Sequence, residues 1–313
     1  MLIYAIKRII MAIPTALIVS LLVFVMIRLI PGDPVVLMLG DGGDPAMVKE
    51  MRSSLGLDRS LPRQFASWSS KVLHGDLGNS VKTNEPVLDL IAEHFPVTAQ
   101  IVLAATALSC LIALPAGLVA AWRQNRWPDL SIVTGAIMLV SVPSFWAGIM
   151  LIWLFGVKLN WLPTFGFQSM ADGGWGALKY MVLPVIAITL TEIAVLTRMM
   201  RASTIDVLRL EYIAHARAKG LGEQRVMLKH AFPNAFGPAL TVIGLVLGHL
   251  LSGAAVIETV FTLPGLGRLL VESIYARDYP VVQGCLLFVA LLYVFVNLVI
   301  DLLYPLFDPR IKL

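Results

Sequence analysis

The sequence predicts an all-α integral membrane protein of six transmembrane helices with both termini on the cytoplasmic side, and three observations carry that prediction. Of the 313 residues, 58% are hydrophobic and only 14% charged, with a mean hydropathy of +0.82, outside the range of soluble globular domains. Apolar runs of roughly 20 residues, each enough to cross ~30 Å of hydrocarbon, recur along the chain. Lysine and arginine gather in alternate connections between these runs, and the positive-inside rule assigns those connections to the cytoplasm. The net charge of +4 and the isoelectric point near 9.1 follow from that topology rather than from nucleic-acid binding.

The first span, about 9–30, follows Lys7 and Arg8. A cleavable signal has a shorter apolar region and a small-residue cleavage site, so this segment is expected to stay as a helix. The loop after it, about 31–96, is expected to be extracytoplasmic; it interleaves basic residues with acids from Asp33 to Glu93 and is long enough to fold into short helices. Asp44 and Pro45 open one that Gly56 stops. Pro62 opens a second, with Phe65, Trp68 and Val72 near one face, and a third follows Pro86, with Val87, Leu90 and Ile91 apolar. These read as packing helices at the membrane interface, with a docking surface for an external partner as the alternative.

A short connection bearing Arg123 and Arg126 joins the second and third spans, about 98–121 and 130–156. In the third, "SVPSFW" sets Pro143 between Ser141 and Ser144. The fourth span, about 182–200, runs into a cytoplasmic segment, about 198–235, that carries Arg198, Arg201, Arg209, Arg217, Lys219, Arg225 and Lys229. The fifth, about 236–257, holds Gly244, Gly248, His249, Ser252 and Gly253; the sixth is about 281–304, with Arg310 and Lys312 in the tail. Proline and glycine are tolerated in spans where neighbouring helices or a water-filled cavity satisfy the freed backbone, so these breaks mark either helix packing or the lining of a pathway. Cys110 and Cys285 sit in apolar runs as small hydrophobes, and no disulfide framework or metal site is readable. The whole of 1–313 reads as one transmembrane domain.

The cytoplasmic segment is the unusual feature. Glu211 to Lys219 reads as a short helix, Gly220 stands where glycine ends helices, Gly222 makes the corner, and Glu223 to Phe232 reads as a second helix stopping near Pro233 and Asn234. Such a unit is either an interfacial hairpin held to anionic lipid by its basic residues, at about 1 kcal/mol each, or a rigid knob for a cytoplasmic protein.

At these residues the chain resembles the permease subunits of type I ABC importers, whose cytoplasmic loop carries a Glu-Ala-Ala triplet, a glycine and a later Leu-Pro. Gly220 matches the glycine, Ala216 the last alanine, and Phe232-Pro233 the Leu-Pro, while Ala214 and His215 replace the first two triplet residues. "YIAHARAKGL" is similar to the dipeptide, oligopeptide and nickel branch, as are, in order, "PGDP" from Pro31, "HGDLGNS" from His74, "SVPSFW", "ETVFTLPGLGRLL" from Glu258, "RDYPVVQG" from Arg277 and "DPRIKL" from Asp308.

The resemblance implies the type I ABC importer permease fold, in a bacterial inner membrane and its lipid, paired with a homologous second permease, usually a different chain. It also implies two cytoplasmic ATPase subunits, which bind the ATP and Mg, and an extracytoplasmic solute-binding protein. The segment from about Leu210 to Gly220 becomes the coupling helix, with Tyr212, His215, Ala216, Arg217, Lys219, Gly220 and Leu221 contacting an ATPase subunit. The chain itself is expected to be no enzyme and to hold no cofactor, metal or nucleic acid; a phosphate loop needs Gly-Lys, and no Gly-Lys dipeptide occurs.

Polar residues in hydrocarbon are costly and are functional candidates by default. The translocation pathway candidates are Ser141, Ser144, Glu192, His249, Ser252, Glu258 and Asn297. Glu192 either meets a cationic cargo group, faces water near the cytoplasmic end, or pairs with Arg198; Asp301 and Asp308 are expected to anchor the last helix. Ser252 and His249, three residues apart, also allow an intramembrane hydrolase, but the glycine-flanked nucleophile motif is incomplete. A self-gated channel lacks a filter sequence and has no use for the knob. Among substrates the resemblance implies dipeptides or oligopeptides, with nickel or a metal chelate as the alternative, to which "NWLPTFGFQ" from Asn160 is also similar.

Overall fold

The computed structural model describes residues 2–29, 46, 49, 52–53, 58–168 and 173–307, so "PGDP" and "DPRIKL" lie outside the described residues, as does most of the helix expected between Asp44 and Gly56, of which Ala46, Lys49, Arg52 and Ser53 are helical. Apart from an isolated bridge between Asn79 and Pro86, regular structure among the described residues is helical. In chain order the α-helices are α1 (Leu2–Leu29), α2 (Leu61–Leu73), α3 (Val87–Trp122), α4 (Trp127–Val140), α5 (Ser144–Leu151), α6 (Leu178–Leu208), α7 (Glu211–Ala218), α8 (Glu223–Arg225), α9 (Phe232–Val260), α10 (Leu266–Tyr275) and α11 (Tyr279–Phe307). Among the described residues five helices are long and apolar enough to cross a membrane, and a bent pair, α4 with Ser144–Lys158, turned by 92°, makes a sixth when the pair is taken as one span.

The local sequence explains where these elements begin and break. Pro62 in the first turn starts α2, whose Phe65 and Trp68 rings pack on Phe24 of α1 at centroid distances of 5.2 and 5.6 Å. Pro86, extended at the N-cap, starts α3. The separate helix expected after Pro86 does not exist, because α3 runs through Pro96 into the second apolar run; one lost backbone bond does not end a helix supported on both sides. At 36 residues α3 is roughly 54 Å long, well beyond the hydrocarbon thickness. The third span breaks at Pro143, whose backbone is extended and which has no N–H to continue the ladder from α4. The helix expected to stop near Pro233 instead continues: a π-helical segment, Val226–Ala231, joins α8 to α9, and Pro233 falls in the first turn of α9, where its missing N–H costs little.

Packing sorts these helices into a centre and a flank. α3, α6 and α9 form the main core around Ile101, Val102, Leu183, Ile188, Leu196 and Ile257. Two smaller clusters cap opposite ends of α3. One joins its start (Val87, Leu90, Ile91) to Leu266 and Val281, and the other joins Leu114 and Leu118 to α7 and the π-helical segment. In their most apolar windows, α1 and α11 are only 11% buried against 61% for the α6 span, so the α1–α11 pair is the flank that still presents apolar surface.

Candidate functional site

The end of the bundle bearing α7 is built as a rigid projection. α6 leads into α7 through Arg209 and Leu210, whose N–H groups bond Asp206 and Val207 carbonyls, so the connection has no free residues. α7 closes with a Schellman arrangement: Gly220 N–H donates to Arg217 O at 2.9 Å and Leu221 N–H to Ala216 O at 3.4 Å. Gly220 sits at φ +79°, a conformation that costs other residues a steric penalty. Arg217 then grips Glu223 of α8 with Nε and Nη2, at 2.7 and 3.2 Å, bracing the corner.

The seven residues expected to meet a partner divide by face. Ile213, fully buried, and Ala216 point inward against Met200, Val207, Val226 and Met227. Ala216, at 7% exposure, helps to seat the helix. Tyr212 and Leu221 are half-buried against the same cluster, and the Tyr212 hydroxyl donates to His230 O at 3.4 Å. His215, Arg217, Lys219 and Gly220 are exposed.

The pathway candidates are scattered. Glu192, only 7% exposed within the α6 span, has His249 of α9 as its electrostatic neighbour rather than Arg198. His249 is exposed and lines a cavity of ≈490 Å³ with Val19, Val23, Leu245, Leu286 and Tyr293. Asn297 lies in an adjoining groove of ≈380 Å³ between α1 and α11 and donates its amide N–H to Tyr293 O at 2.8 Å. Ser141, exposed, donates to Ile137 O at 2.9 Å beside the break in the third span, and Ser144, half-buried, begins α5 just beyond it. Ser252 falls in α9, its side chain outside the described residues. His249 and Asn297 thus line adjoining cavities that share Val19 and Tyr293, and Glu192 is buried with His249 as an electrostatic neighbour.

Glu258 is a correction. It is fully buried, and its carboxylate accepts the Thr98 hydroxyl at 2.5 Å and the N–H groups of Gly267 and of Arg268, the latter at 2.8 Å. Thr98 in turn accepts Leu266 N–H at 2.8 Å, so the first N–H groups of α10 are all satisfied. Gly265 is obligatory there, because a Cβ would overlap the Glu258 carboxylate. Glu258 caps a helix; it has no accessible surface with which to line a path.

Three further polar contacts were less visible in the sequence. Ser80 of "HGDLGNS" donates to Asp278 of "RDYPVVQG" at 2.5 Å, and Val81 and Lys82 N–H add to that carboxylate at 3.2 and 3.3 Å. Arg8 pairs with Asp301 at 2.9 Å, holding α1 to α11 and giving Asp301 its anchoring role. Arg201 of α6 binds Asp129 of α4 through Nε and Nη2, at 2.6 and 2.7 Å. An acid just after Trp127-Pro128, in the first turn of α4, was the available signal for Asp129, but its partner lies 72 residues away.

Comparison with known proteins gives this architecture a family. The model described as "Binding-protein-dependent transport system inner membrane component" matches residues 113–313, and that described as "Binding-prot-dependent transport system membrane comp, N-term" matches residues 1–102. A putative peptide transport system permease protein of Brucella abortus (strain 2308) is 42% identical over 306 residues, 98% of each chain. The dipeptide transport system permease protein of Alkalihalophilus pseudofirmus is 38% identical over all of both chains. The glutathione transport system permease protein of Escherichia coli (strain K12) is 42% identical over 312 residues, covering 100% of this chain and 99% of that one. Among solved structures, a chain of an amino acid ABC transporter with histidines shares the fold, with a TM-score of 0.51 at 16% identity, covering 71% of this chain and 94% of that chain. With its apolar helices, its broken third span and its braced projection, the chain belongs to the family of inner membrane components of binding-protein-dependent transport systems, and is a non-catalytic, multi-pass permease subunit of a bacterial inner membrane.

Proposed function

We propose that this chain is one half of the pore of an ATP-driven importer of dipeptides or oligopeptides, with α7 as the helix through which a cytoplasmic ATPase subunit moves the membrane helices. The observation that carries the reading is the construction of α7: seated by buried Ile213 and Ala216, closed at Gly220, and leaving His215, Arg217 and Lys219 exposed. A stiff element passes on a displacement that a loose loop absorbs. Both termini and α7 lie on the cytoplasmic side, where the basic connections concentrate, and residues 31–96 on the opposite side. A homologous second permease completes the pore, two ATPase subunits bind ATP and Mg, and an extracytoplasmic binding protein supplies the solute.

The relatives above are named for peptide, dipeptide and glutathione transport, which favours peptides over nickel or a metal chelate. Peptides carry an ammonium, and Glu192, an acid within the α6 span, is the group proposed to meet it when transport opens the bundle around it. The test is reconstitution in liposomes with the second permease, the ATPase subunits and the binding protein. ATP-dependent uptake of labelled dipeptide that vanishes without the binding protein is expected. Failure of the ATPase subunits to co-purify with the wild-type chain, or hydrolysis or transport by the chain alone, overturns the reading.

A further inference from the structure

One ion pair, a buried carboxylate with a partly exposed guanidinium, is positioned to do more than hold two helices together. Asp129 is 2% exposed, in the first turn of α4, and its carboxylate accepts three donors: Arg201 Nε at 2.6 Å, Arg201 Nη2 at 2.7 Å and Asn125 N–H at 2.8 Å. Asn125 reaches it by adopting φ +60°, so the short connection between α3 and α4 is tied into the same site. A two-pronged guanidinium–carboxylate pair fixes orientation as well as distance. At the same level α3 and α6 meet closely: a Cβ on Gly117 would stand 2.7 Å from Met200 Cβ and 2.8 Å from Thr197 O. Three helices are thus clamped where α6 passes Arg201.

From that clamp α6 runs seven residues to Leu208 and, through the bonded Arg209–Leu210 connection, into α7. Met200, adjacent to Arg201, packs in the same cluster as Ile213 and Ala216 of α7. In the other direction α4 continues as an unbroken helix of 14 residues, roughly 21 Å, and ends at the 92° break around Ser141–Pro143. Past the break, α5 packs against α6 again and also reaches the end of α9, with Gly148 against the Phe261 ring. A connected stretch from α7 through the clamp to Val140 is thus followed by the bend at Ser141–Pro143.

Resting on the reading of α7 as the driven helix, we infer that Asp129 and Arg201 are positioning residues for transport: their pair makes α4 follow α6 when α7 is displaced. Deleting the pair lets α6 move without α4, so ATP is consumed while the path opens incompletely.

The experiment uses the full reconstituted complex with Asp129→Asn, Arg201→Lys, and the exchange pair Asp129→Arg with Arg201→Asp, reading uptake per ATP hydrolysed. Lysine keeps the charge but not the fork, so it tests geometry if Asp129→Asn fails to assemble. Each single variant is expected to lower labelled-dipeptide uptake roughly tenfold with binding-protein-stimulated ATPase within about twofold of wild type, and the exchange pair to recover most of the ratio. An unchanged ratio in the single variants overturns the inference, as does a parallel fall of uptake and hydrolysis that the exchange does not repair. Co-purification of the ATPase subunits separates the two readings: intact capture with an unchanged ratio removes only this inference, whereas no capture by the wild-type chain removes the role of α7.

Discussion

Glu258 and Glu192 look alike in the sequence, acids set within or at the edge of an apolar run, yet the structure gives them different work. Glu258 is sealed and has its oxygens occupied by the N-terminal N–H groups of α10 and by Thr98, whereas Glu192 faces His249 with no comparable cap. Removing the buried carboxylate in Glu258→Ala orphans those donors, and a loss of about 3 kcal/mol is expected, visible as a lower thermal midpoint in detergent. An unchanged midpoint would refute the cap. Glu192→Gln is expected to leave the complex assembled and stable but to reduce dipeptide uptake; uptake equal to wild type removes Glu192 from the path.

At the scale of the element, α7 shows why exposure has to be read residue by residue. Its eight residues place Ile213 and Ala216 inside and His215 and Arg217 outside, a division that spacing alone suggests but that only the neighbouring helices confirm. Ile213→Asp puts an unpaired charge into the cluster formed with Met200, Val207 and Val226, and is expected to unseat the helix. The outcome to measure is ATPase-subunit capture: a loss of at least about tenfold is expected, with the membrane domain still inserted. Equal capture would show that the seating of α7 does not matter. The other lesson at this scale is about proline. Pro143 breaks a span, Pro62 and Pro233 sit harmlessly in first turns, and Pro96 is absorbed within α3, because the consequence depends on which backbone bonds its position removes.

At the scale of the whole molecule, the bundle has a packed centre and an incomplete flank. The little-buried α1 and α11 are joined to each other by Arg8–Asp301 and leave apolar surface for lipid or for a second permease. The proposed orientation is tested by single cysteines at exposed sites: Gln224→Cys is expected to react with an impermeant thiol reagent only from the cytoplasmic face, and Trp175→Cys only from outside. The reverse pattern, or labelling of both from one side, overturns the topology.

The sequence by itself determined the class of the protein, because span length, hydropathy and the placement of basic residues are properties of a chain meeting a bilayer and need no knowledge of long-range contacts. It also marked the helix, glycine corner and second helix of residues 211–232, since capping and turn chemistry are local. Tertiary structure alone decided which marked residues touch which. Ser80 meets Asp278, Thr98 meets Glu258 and Asp129 meets Arg201 across separations of 198, 160 and 72 residues, and no local pattern encodes such pairings. That is why Glu258 reads as a pathway acid in one dimension and is a helix cap in three: burial and the location of its hydrogen-bond donors exist only once the helices have packed.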